Sequence, residues 1–308
     1  MSDRRRFLQR SGTALLTAFA APWAAAAAAP VAPTAAKGQG GVAAAIAGAK
    51  DLAALEQVSG GRLGVTLLEV GTGRCLGRRQ DERFPMCSTF KALLAAHVLS
   101  LADAGALSLD ERLPIRQAQL LSWAPESERH VGKDLTVRDL CRAAVTNSDN
   151  TAANLLLARA GGPPALTAFL RKQGDAVTRS DRYEPEMNNF APDDPRDTTS
   201  PAAVAASLAR FAVGDGLSKA SRAQYADWLI DNQTGDDCLR AGLGTRWRVG
   251  DKTGNNGRDT RNDLAVLWPL TGGTPWVLVA LLQGARVDSD QRDAVLARVG
   301  ALADQMIG

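Results

Sequence analysis

The stretch Cys87-Ser88-Thr89-Phe90-Lys91 opens an apolar segment, rich in alanine and leucine, that runs to Gly105. Residues three apart lie on one face of a helix, so the sequence predicts that Ser88 and Lys91 stand side by side. The hydroxyl would lie at a helix N-terminus, where free backbone N–H groups favour negative charge. A serine becomes a nucleophile when a neighbouring base takes its proton, and a neutral lysine amine can do so. By itself, the stretch fits a plain helix cap beside a surface lysine better than a catalytic pair.

Strand patterns at the two ends of the chain enclose a helical middle. A helix over 42–58 and a hairpin over 62–78 come first, and three strands within 247–283 and a closing helix come last. This order predicts an α+β fold: a discontinuous antiparallel-sheet domain, flanked by N- and C-terminal helices, holds an inserted all-helical domain, with the active site between them. The expected divisions are an export signal (1–29), a linker (30–41), the sheet domain (42–86 and 232–308) and the helical domain (87–231), which includes a loop over 179–197.

The first 29 residues have the features of an export signal. Arg4-Arg5-Arg6 precede Phe7-Leu8, an apolar run over 13–21 and small residues as far as Ala29. The pattern resembles a twin-arginine signal, which implies export of the folded protein and a periplasmic location. The alternative is a retained membrane anchor. Because the apolar run is short and Pro22 interrupts it, we expect cleavage and no stable membrane association afterwards.

Charge and composition exclude several kinds of partner. The chain carries a net charge of +3, all of which belongs to residues 1–29, where four arginines face one aspartate. The remainder is close to neutral, so we expect no nucleic-acid partner. The cysteines form no Cys-x-x-Cys pair and there are two histidines, so neither a metal nor another cofactor is expected. Small packed residues are the expected state of the four cysteines, which are Cys75, Cys87, Cys141 and Cys238.

Three further stretches follow the Ser-x-x-Lys pattern in order. Ser148-Asp149-Asn150 lies in the helical middle, and Glu184 and Asn188 lie in the long polar loop. Lys252-Thr253-Gly254 lies at the end of a strand predicted over 247–252. Each stretch is common alone, but together they resemble the motifs of the class A serine β-lactamases, within the superfamily of penicillin-binding proteins and β-lactamases. The likeness covers almost all of the chain after the signal.

The resemblance implies a reaction in two halves. Ser88 attacks the lactam carbonyl, and Glu184 with Asn188 positions the water that hydrolyses the resulting ester. One helical turn in the loop would direct both of these side chains at the same water, since they are four residues apart. Ser148, helped by Lys252, relays a proton to the leaving nitrogen. The group that takes the Ser88 proton is either Lys91 or Glu184 acting through water.

The resemblance also implies a substrate pocket. Asn150 would bind the substrate's side-chain amide, and the backbone N–H groups of Ser88 and Asn255 would form the oxyanion hole. Arg261 would bind the substrate carboxylate, or else be an ordinary surface arginine, and Trp123 would line the rim, or else belong to the core. Arg182 and Asp197 would pair across the neck of the loop in a structural role. The substrate-binding residues are thus Trp123, Asn150, Asn188, Thr253, Gly254, Asn255 and Arg261, beside Lys252.

The cysteines depart from the pattern that the resemblance implies. Serine carbapenemases of the family have a disulfide between the cysteine before the nucleophile and a cysteine just after Lys-Thr-Gly. Here the first of these is Cys87, but the position of its partner is occupied by Asn256. The resemblance therefore puts carbapenem hydrolysis in doubt. A second family disulfide would pair Cys141 with the position of Ala95, so Cys141 is expected to be a free buried thiol.

The resemblance therefore implies a monomeric serine β-lactamase that hydrolyses penicillins and cephalosporins and gives antibiotic resistance. Two alternatives remain. A penicillin-binding peptidase would share the serine, lysine and Lys-Thr-Gly parts, but it would lack a base such as Glu184 for deacylation. A β-lactam sensor domain would bind without turnover and would need a retained membrane segment. The preferred β-lactam and the response to inhibitors stay open.

Overall fold

The computed structural model describes residues 39–308, so the expected export signal and most of the expected linker lie outside the described residues. The strands are β1 (Arg62–Glu69), β2 (Cys75–Arg78), β3 (Phe84–Pro85), β4 (Arg112–Pro114), β5 (Asp134–Thr136), β6 (Thr198–Thr199), β7 (Trp247–Asn255), β8 (Arg261–Pro269) and β9 (Trp276–Gln283). The helices are α1 (Gln39–Ser59), α2 (Phe90–Asp103), α3 (Val137–Thr146), α4 (Asn150–Arg159), α5 (Gly162–Lys172), α6 (Pro201–Ala212), α7 (Lys219–Ile230), α8 (Leu239–Gly242) and α9 (Ser289–Ile307).

A five-stranded antiparallel sheet joins the two ends of the described chain. Its order is β2-β1-β9-β8-β7, and β1 pairs with β9 along its whole length, from Arg62 opposite Gln283 to Glu69 opposite Trp276. The residues between β2 and β7 supply the helices α2 to α8 and two short two-stranded pairs. The predicted α+β architecture is confirmed, with a sheet made from both ends of the chain and helices inserted between.

The central strand β9 is buried on both faces of the sheet. Seven of its eight residues are buried, because its side chains point alternately to the two faces of the sheet and each face is covered by an apolar cluster. Leu278 belongs to the cluster that includes Leu296 of α9, whereas Val279 belongs to the cluster that includes Leu208 of α6. A continuous apolar run such as this one indicates a strand that is covered on both sides.

The helix α2 lies at the centre of the helical part and carries Lys91. Ten of its fourteen residues are buried, from Phe90 to Leu99, and its contacts include α3, α4, α5, α6 and α7. The cluster around it includes Leu140, Leu208 and Trp228. Lys91 is buried with the apolar residues, so the interior must supply this amine with polar partners.

Several element boundaries differ from the sequence prediction. The helix α1 begins at Gln39, three residues before the predicted start. The strand β7 continues past Lys252 to Asn255, because the polar residues there pair with β8, for example Thr253 opposite Asp263. The apolar pattern ends before this pairing does, which is why the sequence indicated a shorter strand. In the part that the structure describes, no helix is long and apolar enough to span a membrane.

Asp149 fixes the start of α4 and the loop that faces it. The residue is fully buried, and its carboxylate caps the helix by accepting the Ala152 N–H at 2.8 Å. It also accepts the N–H groups of Glu126 at 3.0 Å and Ser127 at 2.8 Å and the Ser127 hydroxyl at 2.8 Å. One side chain therefore holds both Ser148 and Asn150, its chain neighbours, against the loop over 122–128.

We expect Asp149→Ala to lower the free energy of unfolding by about 3 kcal/mol, because it leaves four donors without their acceptor. Urea denaturation followed by circular dichroism measures the loss. The matched control is Asp288→Ala, which removes an exposed N-cap of α9 and should cost about 1 kcal/mol. An equal loss in the two variants would contradict the role assigned to Asp149.

Candidate active site

Ser88 lies in a single 3-10 turn, Cys87–Thr89, that leads into α2. The sequence predicted the start of an α-helix here, and the structure differs because Cys87 has a left-handed backbone with φ of 47°. Such a conformation is unfavourable for a residue with a side chain and is found at functional sites. Asn262 stabilises the turn, since its amide donates to the carbonyl of Met86 at 3.1 Å and to that of Pro85 at 2.8 Å.

Lys91 is fully buried and directs its amine at the nucleophile. Its Nζ lies 2.9 Å from Ser88 Oγ and 2.9 Å from the carbonyl oxygen of Ser148. It also lies 2.5 Å from Asn150 Oδ1 and 3.3 Å from Glu184 Oε1. Burial lowers the pKa of Lys91, while the neighbouring carboxylate of Glu184 acts in the opposite direction. The amine is therefore closer to the neutral form that a base requires than an exposed lysine would be.

Glu184 is buried beside the same hydroxyl. Its Oε1 lies 3.4 Å from Ser88 Oγ, and its Oε2 accepts a hydrogen bond of 2.6 Å from Asn188 Nδ2. One turn of 3-10 helix, Glu186–Asn188, brings the amide to the carboxylate, as their spacing predicted. The side chain of Asn154 holds the backbone of Glu184, accepting its N–H at 2.9 Å and donating to its carbonyl at 2.8 Å.

The sequence prediction of the site missed Asn154. Its signal was an amide residue in a largely apolar helical stretch, 151–157, where a half-buried polar side chain needs a partner. Only the fold reveals that this partner is the backbone of Glu184, 30 residues away in sequence.

Arg182 and Asp197 meet at the neck of the long loop. Arg182 Nε lies 2.6 Å from Asp197 Oδ2, and the other carboxylate oxygen accepts the backbone N–H groups of Asp181 and Arg182 at 2.7 Å and 3.0 Å. The carbonyl of Asp197 in turn accepts the Met86 N–H at 2.9 Å. The loop that carries Glu184 is thereby attached to the turn that carries Ser88.

The strand β7 passes close to the nucleophile turn. A Cβ at Gly254 would lie 2.7 Å from the carbonyl oxygen of Met86, so this close approach requires glycine. Lys252 on the same strand is fully buried and donates to the carbonyl of Thr253 at 2.9 Å. Burial, followed by the positive charge of Lys91, lowers the pKa of Lys252 to about 7.

A cavity of about 790 Å³ lies between β7 and the helical part. Nine of the predicted site residues line it: Ser88, Trp123, Ser148, Asn150, Asn188, Thr253, Gly254, Asn255 and Arg261. Lys91, Glu184 and Lys252 are buried beneath its wall. Residues that the sequence prediction did not include also line it, among them Ser122, Gln233, Thr234 and Arg258.

Two of the lining residues had an alternative interpretation. Trp123 is 66% exposed, and its indole N–H donates to the carbonyl of Asn147 at 3.0 Å, so it is not a core residue. The side chain of Arg261 is only 12% exposed and forms an ion pair of 2.5 Å with Asp293. It is therefore not an ordinary surface arginine.

All four cysteines are free thiols. Cys87, Cys141 and Cys238 are buried, and burial raises their pKa values. The prediction that Cys75 is a packed residue is wrong, because Cys75 is exposed. It is the first residue of β2, which is an edge strand of the sheet. In the position where the resemblance implied a partner for Cys87, Asn256 accepts the N–H groups of residues 258, 259 and 260 through its Oδ1.

Comparison with known proteins identifies relatives along the whole chain. The profile of the Beta-lactamase enzyme family matches residues 47–307. Beta-lactamase L2 of Stenotrophomonas maltophilia is 60% identical over 308 residues, which are all of both chains. The carbapenem-hydrolyzing beta-lactamase KPC of Klebsiella oxytoca is 44% identical over 261 residues, covering 84% of this chain and 89% of the relative.

Solved structures show the same fold. The crystal structure of L2 complexed with relebactam has a TM-score of 0.83 and 64% identity, and the match covers 87% of this chain and 99% of that one. A beta lactamase from Xanthomonas campestris has a TM-score of 0.85 and 52% identity, with 86% and 99% of the two chains covered.

We expect a chromogenic disulfide reagent to modify one thiol per native chain and four thiols after denaturation, because only Cys75 is exposed. The colour released before and after addition of guanidinium chloride measures both numbers. Cys75→Ser should remove the native signal and leave three thiols in the denatured chain. Two thiols missing from the denatured count would reveal a disulfide and contradict the structure.

Proposed function

The chain belongs to the family of class A serine β-lactamases, and from this premise we propose a role for each side chain around Ser88. It hydrolyses the β-lactam ring of penicillins and cephalosporins and thereby gives antibiotic resistance. The reaction passes through an acyl-enzyme on Ser88, which water activated by Glu184 hydrolyses. The observation that carries this conclusion is the position of Glu184, whose Oε1 lies 3.4 Å from Ser88 Oγ. A base at the ester distinguishes a hydrolase from a protein that β-lactams merely acylate.

In the first half of the reaction, Ser88 Oγ attacks the lactam carbonyl as its proton is withdrawn. Two groups can take this proton: Lys91, at 2.9 Å, and Glu184 through a water. The developing oxyanion is stabilised by the backbone N–H groups of Ser88 and Asn255, which both line the cavity. The carbon–nitrogen bond of the lactam then breaks, and the nitrogen takes a proton from the Ser148 hydroxyl.

Ser148 is placed to return a proton from the base to the leaving nitrogen. Its Oγ lies 3.4 Å from Lys91 Nζ, so the amine that gains the proton of Ser88 can pass one on. Lys252 supports this step by its positive charge. Because its pKa is lowered to about 7, Lys252 changes charge within the neutral range.

In the second half, water attacks the ester carbonyl and Glu184 takes its proton. Asn188 orients the carboxylate through the 2.6 Å bond to Oε2, and Asn154 fixes the backbone beneath it. The ester bond breaks, the carboxylic acid product leaves, and Ser88 Oγ regains a proton. The ion pair of Arg182 with Asp197 has a structural role, because it closes the loop that holds Glu184.

The substrate lies in the cavity along β7. We assign its carboxylate to Lys252, Thr253 and Arg261, and its side-chain amide to Asn150. Gly254 lets the strand approach the nucleophile, and Trp123 covers the rim. Asn150 Oδ1 accepts from Lys91 at 2.5 Å while its Nδ2 donates to the carbonyl of Ser122 at 2.9 Å, which fixes the orientation of the amide.

The proposal extends to the location, the partners and the domains of the protein. We propose that residues 1–29 direct export by the twin-arginine route, that the mature chain is periplasmic and monomeric, and that it has no stable membrane association. Its partners are small-molecule β-lactams. The sheet domain comprises 42–86 and 232–308, and the helical domain comprises 87–231. The paired arginines before Phe7-Leu8 support the export route.

We expect Glu184→Ala to lose at least 100-fold in the turnover of a chromogenic cephalosporin, because deacylation loses its general base. Mass spectrometry should detect the intact chain with one covalently attached substrate on Ser88. The control is Glu186→Ala, which removes an exposed acid two residues away and should turn over normally. Normal turnover by Glu184→Ala would overturn its assignment, and a single burst from the unaltered protein would favour a penicillin-binding peptidase or a sensor.

Replacement of Arg4 and Arg5 by lysine should leave the precursor in the cytoplasm, because the twin-arginine pathway requires the arginine pair. Cell fractionation with immunoblotting of precursor and mature forms measures this. The control is Arg10→Lys, which leaves the pair intact. Unimpaired export of the doubly substituted chain would refute the twin-arginine route.

A further inference from the structure

We propose that Arg258 forms a second anion-binding subsite in the active-site cavity. The subsite takes a carboxylate or sulfonate carried on the acylamino side chain of the substrate. The inference rests on the proposed function and names a substrate class for the same site: β-lactams with two negative charges. The subsite proposed above for the ring carboxylate involves other residues, which are Lys252, Thr253 and Arg261.

The wall of the cavity carries positive charge without acidic residues. Its lining includes Arg258 and Arg261, but no aspartate or glutamate. Arg261 is already bound, because its Nε lies 2.5 Å from Asp293 Oδ1. An anion that enters this cavity therefore meets one arginine that is paired with a carboxylate and one that is not.

Most N–H donors of the Arg258 guanidinium have no hydrogen-bond partner among residues 39–308. Among residues 39–308, no carboxylate lies within 4.0 Å of its guanidinium, and the one hydrogen bond that the side chain makes is to the carbonyl of Asn188, at 3.2 Å. A guanidinium has five N–H donors in a planar fork that matches a carboxylate or sulfonate. Arg258 is exposed and lines the cavity, and its remaining donors have no partner among residues 39–308.

The two arginines contact different parts of the cavity wall. Arg261 donates to the carbonyl of Thr234, and the Thr234 hydroxyl lies 2.5 Å from that of Thr253, so Arg261 belongs with the residues assigned to the ring carboxylate. Arg258 lies in the turn beyond Asn255, and its guanidinium contacts the long loop at the carbonyl of Asn188. Because the ring carboxylate is assigned to Thr253 and Arg261, we assign the acylamino side chain of the substrate to the part of the wall formed by Arg258 and Asn188.

The surroundings hold Arg258 in place before any substrate binds. Asn256 Oδ1 accepts the backbone N–H of Arg258 at 3.0 Å, and Arg292 donates to its carbonyl at 2.6 Å. The bond to Asn188 restrains the guanidinium itself. A preorganised donor loses less conformational entropy on binding than a free arginine, which favours a subsite over a mobile surface charge.

The test compares two penicillins that differ by a single carboxylate, benzylpenicillin and α-carboxybenzylpenicillin. The quantity measured is the ratio of kcat/KM for the dianionic to the monoanionic substrate. Because Arg258 is exposed, we expect Arg258→Ala to lower this ratio about two- to fivefold, and Arg258→Lys to keep part of it. The ratio of the unaltered enzyme should also fall as sodium chloride is added, since salt screens an exposed pair.

Two controls keep the outcomes distinct. Arg298→Ala removes the same charge from the outer face of α9 and should leave the ratio unchanged. Thermal denaturation of each variant verifies that it is folded. An equal loss for both penicillins in Arg258→Ala, or no change in the ratio, would overturn the subsite while leaving the β-lactamase activity in place. If the unaltered enzyme turned over neither penicillin, the proposed function itself would fail.

Discussion

The buried amine of Lys91 and the buried carboxylate of Glu184 lie 3.3 Å apart where α2 faces the long loop. The surrounding hydrogen bonds offset the cost of burying these two charges. Removal of two charges from water costs several kcal/mol per ion unless hydrogen bonds replace the lost solvation. Lys91 obtains them from Ser88, from the carbonyl of Ser148 and from Asn150. Glu184 obtains one from Asn188, so each partner that solvates the pair also borders the cavity.

The fold brings these partners together from distant parts of the sequence. Asp149 caps α4 and so positions its chain neighbours Ser148 and Asn150 at the cavity. The hydrogen bond from the Met86 N–H to the carbonyl of Asp197 attaches the loop to the nucleophile turn. The strand β7 comes from the far end of the chain and approaches the same turn at Gly254. The cavity therefore forms only when the sheet, the helices and the loop are all in place, which explains why a discontinuous sheet domain and an inserted helical domain share one site.

Different residues of the site serve acylation and deacylation, and the deacylating residues distinguish a hydrolase from a protein that is only acylated. In the proposed mechanism, Ser88, Lys91 and Ser148, with the strand that carries Lys252, make the acyl-enzyme. Glu184 adds the second half of the reaction, and its placement depends on groups that do not line the cavity, namely Asn154 and the pair of Arg182 with Asp197. Hydrolysis thus depends on hydrogen bonds that fix the backbone of the loop at Glu184 and at its neck.

The α+β class, the order of the elements and the identity of the motif residues follow from the sequence alone. Apolar periodicity and glycine or proline stops are local signals, and four motifs in one order are specific. The sequence did not reveal Asn154, the left-handed backbone at Cys87, the exposure of Cys75 or the place of Arg258 in the cavity wall. These depend on residues that are far apart in sequence but meet in the fold. Only the tertiary structure decided that Lys91 and Lys252 are buried, because burial is a property of what surrounds a side chain and not of the side chain itself.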